Sequence, residues 1–356
     1  FIRMSPNLIS RMHFVNTSCR RYCAGGIFIL YIESVKVLNH GSSLQGESMK
    51  PIRTLEEMKT IARELPSKRV AVVRADEVET MGAIGTAVRD DMADAVLIGP
   101  EKGIREAAEK AGFDLNGVEI IHAEDDKTAS IKGVEVIRSG NADLIMKGFV
   151  ASSTFLKAIL DREKGIRGPG VLSHVAAFDV PGYHKLLIIT DAAMNIAPDY
   201  DQKVAMLKNA IIVAKALGIE HPKSTYVCAK EVPYEKMPCT MEAAKMKEMA
   251  DAGEFGDIIF DAPLAMDLAV SSEACRIKKI DSPVGGDADI LVLPDIEAAN
   301  ILYKSLIFIS GGELGAVIMG ANNPVVLTSR ADSAESKLCS IVLSTVVASY
   351  SAKGMD

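Results

Sequence analysis

The chain has no tryptophan at all, and aromatic residues make up only 5% of it. Its interior must therefore be built from Ile, Leu, Val, Ala and Met. A surplus of positive charge is also missing: 40 Lys and Arg stand against 47 Asp and Glu, a formal net charge of −7. Neutralising a nucleic-acid backbone needs a clear basic excess, so no nucleic-acid partner is expected. An anion must instead be held in a locally positive pocket. The six cysteines (Cys19, Cys23, Cys228, Cys239, Cys275 and Cys339) form no CxxC pair and have no histidine at zinc-ligand spacing. They read as buried reduced thiols, with no metal site and a cytoplasmic location by default. Neither a GxGxxG fingerprint nor a Walker loop is present. The apolar stretch Ile27–Ile32 is far too short to cross a bilayer, and no membrane partner is expected.

Residues 1–48 differ in character from the remainder. They hold five basic residues (Arg3, Arg11, Arg20, Arg21 and Lys36) and two acids (Glu33 and Glu47). A poor signal peptide or a transit sequence would fit this composition. The stretch fits better as a translated leader or non-native extension. Met49 opens a clean amphipathic segment, and the Gly46-Glu47 pair just before it is compatible with codons of ribosome-binding-site character.

From Met49 onward, short apolar runs alternate with segments of helical period. The strand candidates are 69–75, 94–99, 118–123, 143–147, 186–190, 224–229, 257–260, 290–294, 315–320 and 325–328. Nearly continuous apolar character marks parallel strands covered on both faces. In 201–217, Val204, Leu207, Ile211 and Ala214 recur at helical spacing, and Gly218 and Pro222 stop the helix. Strand–helix alternation of this kind implies βαβ units and a mostly parallel sheet. About ten strands exceed the usual single sheet, so two α/β domains with separate sheets are expected.

Ligands of open α/β sheets lie beyond the carboxyl ends of the strands. The segment 324–333 places Ser329 and Arg330 between a strand end and a helix that starts near Ser333. Unpaired helix N–H groups, a forked guanidinium and a hydroxyl would together hold a phosphate. The same residues also read as a plain helix cap with a surface cation. Lys147-Gly148 forms a second strand end, with Ser152, Ser153, Thr154 and Lys157 on the helix that follows. This also reads as an ordinary turn with solvated lysines. Asp191 and Asn195 flank a third turn, where the carboxylate either orients a hydroxyl or thiol or braces the loop.

Taken together, five segments in order resemble the phosphate acetyl/butyryl transferase family. They are 142–148 around Lys147-Gly148, 190–199 from Thr190 to Asp199, and 261–267 from Asp261 to Asp267. The last two are 288–300 from Ala288 to Asn300, and Ser329-Arg330-Ala331-Asp332-Ser333. The resemblance covers roughly residues 68–350. It implies two α/β domains flanking a cleft, as in the isocitrate dehydrogenase fold. The first would be 49–165 with 320–356, the second 166–319, and the chain would pair as a homodimer or higher homo-oligomer. It further implies transfer of an acyl group between coenzyme A and inorganic phosphate, with acyl-CoA and phosphate as partners and coenzyme A as co-substrate rather than resident cofactor.

Ser329 and Arg330 would then be catalytic. Lys147, Gly148, Thr154, Lys157, Asp191, Asn195 and Ser333 would bind phosphate or coenzyme A. The Lys147-Gly148 form leans toward the butyryl branch; an acetyl substrate and a non-catalytic acyl-CoA-binding regulatory domain are the alternatives. The acetyl branch carries an aspartate several residues after its arginine, where this chain has Ser336, with Glu335 beside it. Direct attack within a ternary complex suits this residue set. A decarboxylating dehydrogenase, the other use of the fold class, would need clustered acids, which Asp257, Asp261 and Asp267 do not provide.

Overall fold

The computed structural model describes residues 21–24, 27–30, 50–329 and 332–352. Phe1–Ser48 and Met49–Asp356 are separate compact units. In the first, β1 (Arg21–Ala24) and β2 (Ile27–Leu30) pair antiparallel. The rest of the leader reading lies outside the described residues.

The second unit carries strands β3 (Arg69–Val73), β4 (Asp94–Gly99), β5 (Glu119–His122), β6 (Leu144–Lys147), β7 (Ser173–Asp179) and β8 (Leu187–Thr190). They are followed by β9 (Lys223–Tyr226), β10 (Ile259–Phe260), β11 (Ile290–Val292), β12 (Glu313–Met319) and β13 (Val325–Val326). The helices are α1 (Leu55–Glu64), α2 (Val78–Arg89), α3 (Glu101–Ala111), α4 (Asp126–Arg138), α5 (Ser152–Ile159) and α6 (Tyr200–Ala216). Next come α7 (Pro238–Asp251), α8 (Met266–Val270), α9 (Ser272–Lys278), α10 (Ile296–Phe308) and α11 (Ala334–Ser351).

Among the described residues these strands form one eleven-stranded sheet, ordered β10-β9-β11-β8-β7-β12-β13-β6-β3-β4-β5. The expectation of two sheets is corrected here. Two parallel groups exist, β13-β6-β3-β4-β5 and β8-β11-β9-β10, but they are joined edge to edge through β7 and β12. Strand β7 pairs antiparallel with both β8 and β12, and β12 with β13, so the two groups run in opposite directions. The ten expected strands are all present. The eleventh, β7, was not expected: its Ser-His start and Ala-Ala centre give little β propensity.

Side chains alternate across each strand and so sort into faces. On one face a single apolar core runs beneath both groups, from Val70, Val72 and Leu144 through Val175 and Val317 to Ile188 and Ile290, covered by α1, α2, α6 and α11. On the other face there are two cores. One joins Ala176, Phe178, Ile189 and Ala316 to Tyr303 of α10. The other joins Val73, Ile145, Val325 and Ile318 to Phe155 of α5 and Val134 of α4. Along β12 the change comes between Ala316 and Ile318. A seam therefore crosses the sheet where β7, β12 and β13 meet.

Candidate active site

Three of the expected turns can be built from their residues upward. Ser333 caps α11: its Oγ accepts the Ser336 N–H at 3.1 Å. Just before it, Asp332 accepts the Ser329 N–H at 2.7 Å, and its own carbonyl accepts from Lys337 Nζ at 3.2 Å. Ser329 is thus held against the first turn of α11. Arg330, the expected cation of this corner, lies outside the described residues.

Lys147 ends β6 on the face of the second pair of cores, beside Val73 of β3. It is buried, and Nζ donates to the carbonyls of Gly148 and Val150 at 3.1 and 3.3 Å, so its charge is folded onto its own turn. Gly148 is needed for chain packing: a Cβ there would lie 2.2 Å from the Arg74 carbonyl oxygen. Arg74, which sequence reasoning passed over, leaves β3 with φ at +56°. Its guanidinium grips Asp76 at 2.8 and 2.9 Å, pairs with Asp126 and lies 5.9 Å from the Phe149 ring centroid. Farther along α5, Thr154 is half-buried and Lys157 exposed.

Asp191 braces its loop. Its carboxylate accepts the backbone N–H of Ala193, Met194 and Asn195 at 2.9, 3.0 and 3.1 Å. The Asn195 amide donates to Asp191 at 2.6 Å and to the Leu172 carbonyl at 2.8 Å. Asn300 of α10 donates to the Ala192 carbonyl at 3.1 Å. The turn also bridges the seam, because Met194 and Leu172 pack against the core under α4 and α5 although the turn follows β8 of the other group.

At the seam stands a residue that sequence reasoning missed. His174 of β7 pairs across the ladder with Ile318 of β12, next to the Ala176–Ala316 pair. It is 5% exposed, and among the described residues its Nδ1 has no hydrogen-bond partner. Its ring meets the edge of Tyr303 at 5.7 Å, and Tyr303 in turn meets Phe178 at 5.2 Å. Burial pushes the His174 pKa below its ordinary value; Asp191 and Asp332 pull it upward and Lys304 opposes them. Burial also raises the Tyr303 phenol, with Asp332 adding to the effect. The field of Asp332 therefore reaches both rings, and Asp191 reaches His174. The structure brings together Asp191, Asn195, His174 and the Ser329–Asp332 corner. Histidine inside an apolar strand is an ordinary core pattern, so only the pairing of β7 at the seam marks this one.

Cys228, the cysteine nearest a strand end, is buried, and burial followed by the neighbouring Cys239 raises its thiol far above the ordinary value. Such a thiol is a poor nucleophile. Among the described residues no group of three or more His, Cys, Asp or Glu is placed to hold a metal ion. No helix among them is long and apolar enough to cross a membrane.

Comparison with known proteins bears on the chemistry of this site. The family described as Phosphate acetyl/butaryl transferase matches residues 126–345. A phosphate butyryltransferase of Clostridium beijerinckii is 42% identical over 296 residues, 83% of this chain and 98% of the relative. A phosphate acetyltransferase of Thermotoga maritima is 40% identical over 294 residues, 83% of this chain and 99% of the relative. Among solved structures, a branched-chain phosphotransacylase from Enterococcus faecalis V583 superposes with a TM-score of 0.70 at 32% identity, covering 79% of this chain and 99% of its own.

Proposed function

Because the chain belongs to the phosphate acetyl/butaryl transferase family, we propose that it moves a short acyl group, butyryl foremost, between coenzyme A and inorganic phosphate. It acts as a phosphate acyltransferase, and the reaction is reversible: butyryl-CoA and phosphate give butyryl phosphate and free coenzyme A. The observation that carries the butyryl reading is 42% identity across 98% of a phosphate butyryltransferase. An acetyl substrate is the second reading, favoured by the 40% identity to a phosphate acetyltransferase of nearly equal coverage.

The chemistry needs the phosphate held, the carbonyl oxygen stabilised as it becomes an oxyanion, and the two reactants placed together. We assign the phosphate to Arg330, Ser329 and the first turn of α11, whose N–H groups attract anions. Ser333 takes part through the cap it makes. Lys147, Gly148, Thr154 and Lys157 form the second side of the site. Asp191 and Asn195 shape the turn that faces it. Transfer is direct, with the coenzyme A thiolate attacking the acyl phosphate carbonyl; the raised Cys228 thiol supports a route without an acyl-cysteine. Coenzyme A is a co-substrate, and no resident cofactor is invoked. The reading includes a cytoplasmic location and assembly as a homodimer or higher homo-oligomer. Exposed Ile301, Phe308 and Ile309 at and just beyond α10 support self-association, since clustered exposed apolar side chains mark contact surfaces.

A thiol-release assay with acetyl-, propionyl-, butyryl- and isobutyryl-CoA tests the reading. Phosphate-dependent release is expected, with the highest kcat/KM for butyryl-CoA. An acetyl-CoA optimum moves the chain to the second reading, and absence of phosphate-dependent release with all four overturns both.

A further inference from the structure

We propose that His174 is the base that takes the proton from the coenzyme A thiol, an assignment that rests on the acyl-transfer reading above. The observation that points to it is a polar atom where an apolar one would pack better. His174 sits between Ala176 and Ile318 on the inner face of β7 and β12, at the boundary of two apolar cores. A leucine or phenylalanine there would extend either core. The chain instead buries an imidazole, and its Nδ1 is left without a partner among the described residues. Leaving a buried polar atom unpaired is costly, and such atoms in native structures call for an explanation such as a catalytic role.

The surroundings fit a proton acceptor. Tyr303 meets the ring edge-on with centroids 5.7 Å apart, and burial among apolar neighbours lowers the imidazole pKa. The charged and titratable groups around it come from three directions. Asp191 follows β8, Asp332 precedes α11, and Lys304 and Tyr303 come from α10. Burial and Lys304 disfavour the imidazolium, and the two carboxylates offset part of that effect. Asp332 also accepts the Ser329 N–H at 2.7 Å, which ties the histidine's neighbour to the corner assigned to phosphate. Ser336 Oγ lies 3.1 Å from Ser333 Oγ within the helix cap, so the first turn of α11 is occupied with capping.

The step balances without a further reactant. As the thiol sulfur bonds to the acyl carbon, the S–H bond breaks and its proton passes to His174. The tetrahedral adduct then collapses: the bond between the acyl carbon and the bridging oxygen breaks, phosphate departs with the electron pair, and it takes the proton from His174 to leave as hydrogen phosphate. In reverse, the imidazolium returns the proton to the departing thiolate.

The test is the pH dependence of kcat/KM for coenzyme A with butyryl phosphate, which reports the free enzyme. Wild type should show an acid limb below pH 6.5, the ordinary imidazole value, and stay flat through neutrality. His174→Gln should lose that limb and follow thiol ionisation instead, rising tenfold per pH unit toward a pKa of about 8.5. At pH 7 it should be slower by about 10²- to 10⁴-fold. Its KM for phosphate in the reverse direction should be unchanged, a split that a merely structural role would not produce. If His174→Gln fails to fold, the wild-type profile decides, because a profile that bends only near the thiol pKa overturns the assignment. A folded His174→Gln with wild-type rate and profile also overturns it while leaving the acyl-transfer reading intact. A wild type without phosphate-dependent thiol release overturns both.

Discussion

Asn195 donates its side-chain amide to Asp191 at 2.6 Å, and with the same nitrogen to the Leu172 carbonyl at 2.8 Å. One amide thus ties the turn after β8 to the segment that leads into β7. Asp191→Ala would leave three backbone N–H groups without their acceptor and take from this amide one of its two. We expect a loss of about 2–4 kcal/mol in urea unfolding, given the cost of buried unsatisfied donors. Asn195→Ala should lose about 1 kcal/mol. A stable Asp191→Ala would show that the turn is held by packing alone.

Gly148→Ala is expected to be among the most disruptive single-methyl additions. The new Cβ would lie 2.2 Å from the Arg74 carbonyl oxygen and 2.8 Å from that of Val73, and neither is a flexible side-chain end. Overpacking of this kind costs about 1–3 kcal/mol or more. Thermal melting should fall by several degrees, with activity lost alongside as Lys147 is displaced. An unchanged melting temperature would refute the close approach.

Glu335→Gln should retain most turnover. Glu335 is committed to Lys59 of α1 and is 43% exposed on its side chain. Burial, the largest single influence, lowers the Lys59 pKa, but the hydrogen bond to Glu335, the charges of Cys339 and Glu335 and the bond to Glu56 together raise it above its ordinary value. A pair this exposed contributes about 0–1 kcal/mol, so melting should barely change. Collapse of turnover with phosphate binding intact would identify Glu335 as the base and displace His174.

Arg330→Ala should lower turnover by a few orders of magnitude, since removal of one donor to a developing charge costs roughly 3–4 kcal/mol. Arg330→Lys should restore little of it, because the guanidinium fork is lost. Full activity in the lysine variant, measured by thiol release, would reduce Arg330 to a local charge.

Acid stability offers a separate check at the amino ends of the β8–β11 group. Partial burial raises the Asp287 pKa, yet hydrogen bonds from Lys185, Lys223 and His184 outweigh it and hold the carboxyl well below its usual 3.8. A depressed native pKa contributes stability above the unfolded value, and that contribution is lost as pH falls through the native one. Urea unfolding should therefore weaken below about pH 4, with a shallower decline in Asp287→Asn. Identical slopes in the two proteins would show that the cluster does not couple to folding.

What the sequence determined by itself was whatever is encoded within a few neighbouring residues. Ten strands were legible because each is a short apolar run between turn residues, and α6 because its apolar residues recur with helical period. Ser333 was legible as a cap because its Oγ bonds a backbone N–H only three positions on. The five family-like segments were legible as motifs. What they hold was not: Asn300 reaches the Ala192 carbonyl across 108 positions, and Gly148 lies close against the Arg74 carbonyl. Only the tertiary structure decided that β7 enters antiparallel between β8 and β12, joining the expected two sheets into one. Strand pairing is non-local, so nothing within Ser173–Asp179 announces its neighbours. The position of His174 follows from that pairing. An imidazole in an apolar strand becomes a candidate base only when Ile318, Tyr303, Asp191 and Asp332 arrive around it from four other parts of the chain.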